Sequence, residues 1–137
     1  LHSLSKLVEI EEYCLMPNHF HLLLRQLKDG GISKFLQRIG TGYTMYFNTK
    51  YERTGVLFQG RHKSKHIDNE PYLNWVRQYI HMNPLDLYIK NWKEKGVSKS
   101  KVKESIDFLN QYKWVSCKDY ELYRDDLNEW ESEWEES

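Results

Sequence analysis

The pattern of hydrophobic and polar positions predicts two strands and a long helix in the first third of the chain. Residues 8–15 have strand character, and a second strand covers residues 19–25. Pro17 marks a break between them, because proline cannot donate a hydrogen bond to a strand ladder. A turn at residues 28–31 follows. Apolar side chains then recur at helical spacing over about four turns. These side chains are Ile32, Phe35, Leu36, Ile39, Tyr43, Tyr46 and Phe47.

The centre of the chain predicts a third strand and a second helix. The strand runs from Val56 to Ile67, with a bulge at Gly60. The helix begins at a cap formed by Asp68 or Asn69. It stops at the Asn-Pro dipeptide of residues 83–84, because a residue that precedes proline is pushed out of the α region.

The last third predicts a lysine-rich surface loop over residues 90–103, a helix over residues 102–109 and a final amphipathic helix with an acidic outer face. The apolar positions of the final helix are Tyr120, Tyr123, Leu127, Trp130 and Trp134. They pack against the domain or bind a protein partner. The order of elements favours an α+β fold, in which helices cover one face of a mostly antiparallel sheet.

The charges divide the chain into a basic body and an acidic tail. Residues 1–118 contain 19 Lys and Arg against 11 Asp and Glu, whereas residues 119–137 contain one Arg against nine acidic residues. A basic body is typical of proteins that bind polyanions. We therefore expect one domain over residues 1–118 and an acidic amphipathic helix or tail over residues 119–137.

Composition narrows the class of protein further. The chain is 39% hydrophobic and 29% charged, which favours a globular fold. No apolar run approaches the ~18 residues that a membrane span needs. Its two cysteines, Cys14 and Cys117, are too few and too far apart for a disulfide framework. We expect a cytoplasmic protein that does not contact a membrane.

Two histidines flank one bulky residue in the second predicted strand. Side chains two apart on a strand share a face, so His19 and His21 project together. Neutral imidazole is the commonest protein ligand for divalent ions, which makes the pair a candidate half of a metal site. Ordinary strand histidines, satisfied by backbone or solvent, are the alternative.

Tyr79 and Asn83 stand four residues apart on the second predicted helix, so their Cβ atoms share one face. If that face lies over the two histidines, the amide oxygen of Asn83 is a third ligand and the phenol of Tyr79 lies beside the ion. A phenol has a pKa near 10, so it needs electrostatic help to act as a nucleophile. A core tyrosine and a helix-terminating asparagine are the alternative interpretation.

These residues carry a resemblance to a known family. Residues 16–23 (MPNHFHLL) and 79–84 (YIHMNP) resemble the signature of the single-tyrosine HUH transposases. Residues 58–64 and 112–116 are similar to segments of the branch of REP-associated tyrosine transposases. The resemblance spans roughly residues 8–123.

The resemblance implies a ferredoxin-like core with both histidines on a central strand. Family members carry an N-terminal strand and hairpin that this chain lacks, so we expect its sheet to miss the first strand. The resemblance also implies that His19, His21 and Asn83 bind Mg²⁺ or Mn²⁺, and that Tyr79 forms a 5′-phosphotyrosine on single-stranded DNA.

The implied activity is transposition: single-stranded DNA is cut and joined at hairpin-forming repeats. Two alternatives stay open. One is a relative that binds DNA without cutting it, and the other is an HUH nuclease of the replication-initiator or relaxase type. The sequence is compatible with a monomer and with a homodimer.

Five basic side chains are candidates for contact with DNA phosphates. Arg61, Lys63 and Lys65 alternate onto one face of the predicted third strand, where protection of a sheet edge is the rival interpretation. Arg25 and Arg38 are further candidates.

Overall fold

The computed structural model describes residues 6–54 and 62–130, which form two compact units. The first unit comprises residues 6–10, 24–54 and 62–66, and the second comprises residues 11–23 and 67–130. In chain order, the strands and α-helices are β1 (Val8–Leu15), β2 (Phe20–Gln26), α1 (Gly31–Lys50), α2 (Glu70–Met82), α3 (Trp92–Lys95), α4 (Val102–Gln111) and α5 (Arg124–Asn128). Short 3₁₀ helices cover Asn83–Leu87, Lys99–Lys101 and Tyr120–Tyr123.

β1 and β2 pair as a two-stranded antiparallel sheet within the described residues, so the predicted α+β class is confirmed. Residues 114–116 lie along the opposite edge of β1. The Leu15 amide donates to the Trp114 carbonyl at 2.7 Å, and an antiparallel bridge joins Cys14 to Val115. The ferredoxin-like arrangement and the missing first strand stay predictions.

In the first unit, α1 begins next to the end of β2. Gly30 has a positive φ of 70°, and the Gln26 side chain accepts a hydrogen bond from the Ile32 amide at 3.1 Å. Gly31 is buried, and a Cβ atom at this position would collide with the carbonyl oxygen of Leu7. The first turn of α1 therefore requires glycine for close packing.

The second unit contains a large apolar core built around α2 and α4. The Asn69 side chain, one of the two predicted caps, caps α2 by accepting from the Tyr72 amide at 2.9 Å. In α4, Val102, Ile106 and Leu109 are buried as well. The core cluster comprises Cys14, Met16, Leu23, Ile80, Met82, Leu85, Trp92, Val97, Val102, Ile106, Leu109, Val115, Tyr120 and Leu127.

The predicted third strand is wrong in its described part. Residues 62–67 have no regular secondary structure, and residues 55–61 lie outside the described residues. Alternating charges favour a strand only when the intervening positions can be buried. Between Lys63 and Lys65 stands Ser64, and the neighbouring residues on both sides are histidines. The segment therefore offers the sheet no apolar face.

The predicted surface loop over residues 90–103 is also wrong. It contains the short helix α3, and both Trp92 and Val97 are buried in the core. Lysines surround these two apolar residues in the chain, so the average composition of the stretch hides them. Packing of the isolated tryptophan decides the local structure.

The predicted C-terminal helix is shorter than expected. It starts as the 3₁₀ helix Tyr120–Tyr123, continues as α5 and ends at Asn128, and residues 131–137 lie outside the described residues. Tyr120 and Leu127 are buried, so this segment packs against its own unit. Among the described helices, none is long and apolar enough to span a bilayer. The domain boundary at residue 118 and the cytoplasmic location stay predictions.

Candidate functional site

The two histidines lie side by side at the start of β2, in the second unit. The ring centroids of His19 and His21 are 5.1 Å apart and their planes are nearly perpendicular. His21 shares a strand face with Leu23, which is part of the core cluster, whereas His19 is exposed. The pair therefore stands where the core-facing side of the strand meets solvent.

Hydrogen bonding orients the ring of His19. Its Nδ1 lies 2.7 Å from the side-chain oxygen Oδ1 of Asn18. Because an amide oxygen only accepts, Nδ1 carries the proton and Nε2 keeps its lone pair in the neutral ring. That tautomer is the one that binds a metal ion through Nε2.

Tyr79 lies against this pair. Its ring is edge-on to the ring of His21, with centroids 5.7 Å apart. Tyr79 is 8% exposed because it occupies the last full turn of α2, where four consecutive residues are buried. The helix that carries the candidate nucleophile is thus packed next to the strand that carries the candidate ligands.

Asn83 follows one turn later and is completely buried. Its side-chain nitrogen donates to the backbone carbonyl of Tyr79 at 3.3 Å. Its side-chain oxygen Oδ1 is buried and has no hydrogen-bond partner among the described residues. A buried amide oxygen without a partner costs roughly 1–3 kcal/mol of stability, so this atom is a candidate to bind a ligand.

The spacing of the two histidines is compatible with a shared divalent ion. Two imidazoles that bind one ion place their ring centroids about 5 Å apart, because each nitrogen lies about 2 Å from the metal. The 5.1 Å separation matches that requirement. In residues 6–54 and 62–130, no group of three or more His, Cys, Asp or Glu side chains is arranged to hold a metal. The candidate ligands stay those predicted from the sequence: His19, His21 and the amide oxygen of Asn83.

A lysine that lies outside the predicted site contacts the candidate nucleophile. Lys93 Nζ donates to the Tyr79 hydroxyl at 2.9 Å and lies 4.7 Å from the centroid of the same ring. Burial lowers the pKa of Lys93, but the hydrogen bond to Tyr79 and electrostatic interactions with Tyr79 and Asp86 outweigh burial and raise it above its ordinary value. The side chain is therefore an ammonium at neutral pH.

Asp86 and three tryptophans hold this lysine and the tyrosine ring. One carboxylate oxygen of Asp86 lies 3.3 Å from Lys93 Nζ, and the other accepts from Trp92 Nε1 at 2.6 Å. Trp75 stacks on Tyr79 with centroids 5.1 Å apart. Trp130 packs against both Trp75 and Trp92.

Sequence reasoning did not identify Lys93, Asp86 or Trp130 as part of this site. The lysine belongs to a lysine-rich stretch and has no distinguishing spacing. The sequence pattern includes Trp130 only as an apolar position of the acidic tail. In the structure, its Nε1 donates to the Lys93 carbonyl at 3.0 Å. The apolar spacing of the tail was the one available signal for this contact.

His81 is turned toward a separate network, because side chains two residues apart on an α-helix point about 200° apart. Its Nε2 lies 2.7 Å from a carboxylate oxygen of Glu12, and its Nδ1 lies 2.7 Å from the Tyr123 hydroxyl. Ser116 also donates to Glu12, at 2.8 Å. This histidine joins β1 to the C-terminal segment.

The basic DNA-binding candidates belong to the first unit, apart from Arg61, which lies outside the described residues. Lys63 and Lys65 are exposed, and Arg25 forms an ion pair with Glu9. Arg38 is exposed on α1 and lines a shallow depression with Lys34 and Gln37. Their contact with DNA stays a prediction.

Comparison with known proteins assigns the family. Residues 3–83 match the family model of the IS200-like transposases, and this range contains His19, His21, Tyr79 and Asn83. The comparison with curated proteins and the comparison with solved structures each found no match. Because the matched range covers more than half of the chain, the protein belongs to the family of IS200-like transposases, DNA-processing enzymes that are generally metal-dependent.

Proposed function

We propose that this protein is a single-tyrosine HUH transposase of the REP-associated type, which cuts and rejoins single-stranded DNA at hairpin-forming repeats. The observation that carries the proposal is the contact between Tyr79 and His21, whose ring centroids are 5.7 Å apart. It brings a phenol from one helix beside an imidazole pair from a separate strand.

In this proposal Tyr79 is the nucleophile. Its phenol oxygen attacks a DNA phosphorus, and the bond from phosphorus to the 3′ oxygen breaks. The phenol loses its proton, and the departing 3′ oxygen takes up a proton. The product is a 5′-phosphotyrosine and a free 3′ hydroxyl. Since the phosphotyrosine keeps the energy of the original bond, a second 3′ hydroxyl reverses the step and joins a new strand.

His19, His21 and Asn83 are the proposed ligands of Mg²⁺ or Mn²⁺. When bound, the ion withdraws electron density from the phosphate and stabilises charge that develops during transfer. Asn18 holds the His19 ring in the tautomer that leaves Nε2 available. The amide nitrogen of Asn83 is bonded to the Tyr79 carbonyl, which leaves the amide oxygen available as a ligand.

The proposed DNA contacts outside the reaction centre are Arg25, Arg38, Arg61, Lys63 and Lys65. Their effect on affinity is electrostatic, because each phosphate contact releases counterions. Substitution of these residues should therefore flatten the dependence of affinity on salt. A monomer and a homodimer are both compatible with this proposal.

A covalent adduct tests the proposed function. The full-length protein is incubated with single-stranded hairpin DNA and Mn²⁺ or Mg²⁺, and the mixture is separated on a denaturing gel. We expect an adduct that requires the metal and is abolished by Tyr79→Phe. The matched control is Tyr72→Phe, which removes a hydroxyl from the same helix and should leave the adduct intact.

The gel also separates the alternatives. An adduct that survives Tyr79→Phe contradicts the assigned nucleophile. DNA binding without any adduct identifies a non-cutting relative. An adduct that never yields a joined strand, when a second DNA with a free 3′ hydroxyl is added, identifies a nicking enzyme of the initiator or relaxase type.

A further inference from the structure

We propose that Lys93 is a further catalytic residue, whose ammonium group stabilises the oxygen of Tyr79 while that oxygen gives up its proton and bonds to phosphorus. The inference rests on the proposed function, because it concerns the same nucleophile. Lys93 lies beyond residues 3–83, so the match to the family model does not include it.

The contact itself is direct. Lys93 Nζ donates to the Tyr79 hydroxyl at 2.9 Å, which is a normal hydrogen-bond length. The ammonium also lies 4.7 Å from the centroid of the tyrosine ring, so it interacts with both the oxygen and the ring. A charged donor on the reacting atom is worth more than a neutral one, and most when that atom becomes negative.

The surrounding residues hold the lysine in this position. Asp86 lies 3.3 Å from its ammonium and is itself fixed by Trp92, which is 1% exposed. The Trp130 indole donates to the Lys93 backbone at 3.0 Å. A side chain that is only a surface cation would not be fixed at both its backbone and its head group.

The chemistry assigns the lysine a role in both directions of transfer. As the phenol loses its proton, negative charge grows on the oxygen before the bond to phosphorus is complete. In the reverse step the same oxygen leaves phosphorus with negative charge. The Lys93 donor lies on that oxygen in each case, and it neither gains nor loses a proton over the cycle.

The experiment compares Lys93→Met with Lys95→Met. Both substitutions remove one positive charge from the same short helix, but only Lys93 contacts Tyr79. Single-turnover formation of the DNA adduct is followed with hairpin DNA and Mn²⁺. We expect Lys93→Met to slow adduct formation about a hundredfold, the scale of losing one donor to a developing oxyanion. Lys95→Met should match the wild type.

Two further measurements separate catalysis from folding and from DNA binding. Lys93→Arg keeps the cation and its donors, and should recover the rate to within about tenfold of wild type. DNA affinity without metal should be equal for Lys93→Met and Lys95→Met. In protein with ¹³C-labelled tyrosine, the Tyr79 carbon bonded to oxygen should shift in Lys93→Met and stay unchanged in Lys95→Met.

The outcomes distinguish the two proposals. If the wild type forms an adduct and Lys93→Met forms it as fast as Lys95→Met, the role of Lys93 is overturned and the proposed function stands. An unchanged Tyr79 signal in Lys93→Met would overturn the contact itself. Absence of an adduct in the wild type would overturn the proposed function, and the role of Lys93 with it.

Discussion

Helices α1 and α2 carry tyrosines in opposite environments. In α1, Tyr43 and Tyr46 are exposed, and Gly31 is the buried residue of that helix. In α2, Tyr79 is buried and its hydroxyl is held by Lys93. Both helices show apolar residues at helical spacing. The difference shows that spacing predicts the helix, whereas the partners of each side chain decide whether a tyrosine is held for chemistry.

The largest difference expected between these regions is in their contribution to stability. Trp92→Ala should lower the free energy of unfolding by about 3–5 kcal/mol, because it leaves a cavity in the core of the second unit. Tyr46→Ala, at a residue that is 57% exposed, should change it by less than about 0.5 kcal/mol. Urea denaturation of the full chain measures both values. Equal losses would show that α1 is buried in solution.

Substitution of two glycines of α1, Gly31 and Gly42, by alanine should change stability in opposite directions. Gly31→Ala should destabilise the protein by about 1–3 kcal/mol, because the new Cβ collides with the Leu7 carbonyl. Gly42→Ala is the control, since no described atom outside the helix backbone lies within 4 Å of the methyl group it would add. It should stabilise the helix by up to about 1 kcal/mol. Thermal unfolding followed by circular dichroism checks both signs, and a stabilising Gly31→Ala would contradict the packing.

The smallest loss of stability is expected when the side-chain acceptors at the first turns of α1 and α2 are removed. Asn69→Ala removes the side-chain acceptor at the start of α2, and Gln26→Ala removes the acceptor for the Ile32 amide of α1. Each should cost about 1 kcal/mol. Asn69→Ser keeps an oxygen that accepts from the helix and should restore stability. Loss at Asn69 without loss at Gln26 would show that the acceptor of α1 is replaced by solvent.

Local signals were sufficient to predict several elements. Strand β1 matches its predicted bounds, and α2 begins at one of its two predicted caps and ends before the predicted Asn-Pro stop. Both depend on interactions between residues close in the chain, such as the hydrogen bond from Tyr72 to Asn69. His19 and His21 are neighbours as predicted, although β2 begins at Phe20, one residue after His19.

The remainder depends on contacts between distant residues. Nothing in a lysine-rich stretch shows that Trp92 fills the core or that Lys93 reaches Tyr79. The bond from His81 to Glu12 joins residues 69 positions apart, which periodicity cannot reveal. The roles of Tyr79 and its proposed metal ligands stay proposals until the adduct is measured.

The hydrogen bond from the Trp130 indole to the Lys93 backbone bears on attempts to design a minimal enzyme. The change in charge near residue 118 invites a shortened fragment that ends there. Such a fragment would lose two buried side chains, Tyr120 and Leu127, together with the indole that braces Lys93. Its activity would then report on a damaged reaction centre, so comparative assays of this protein should keep the polypeptide through Trp130.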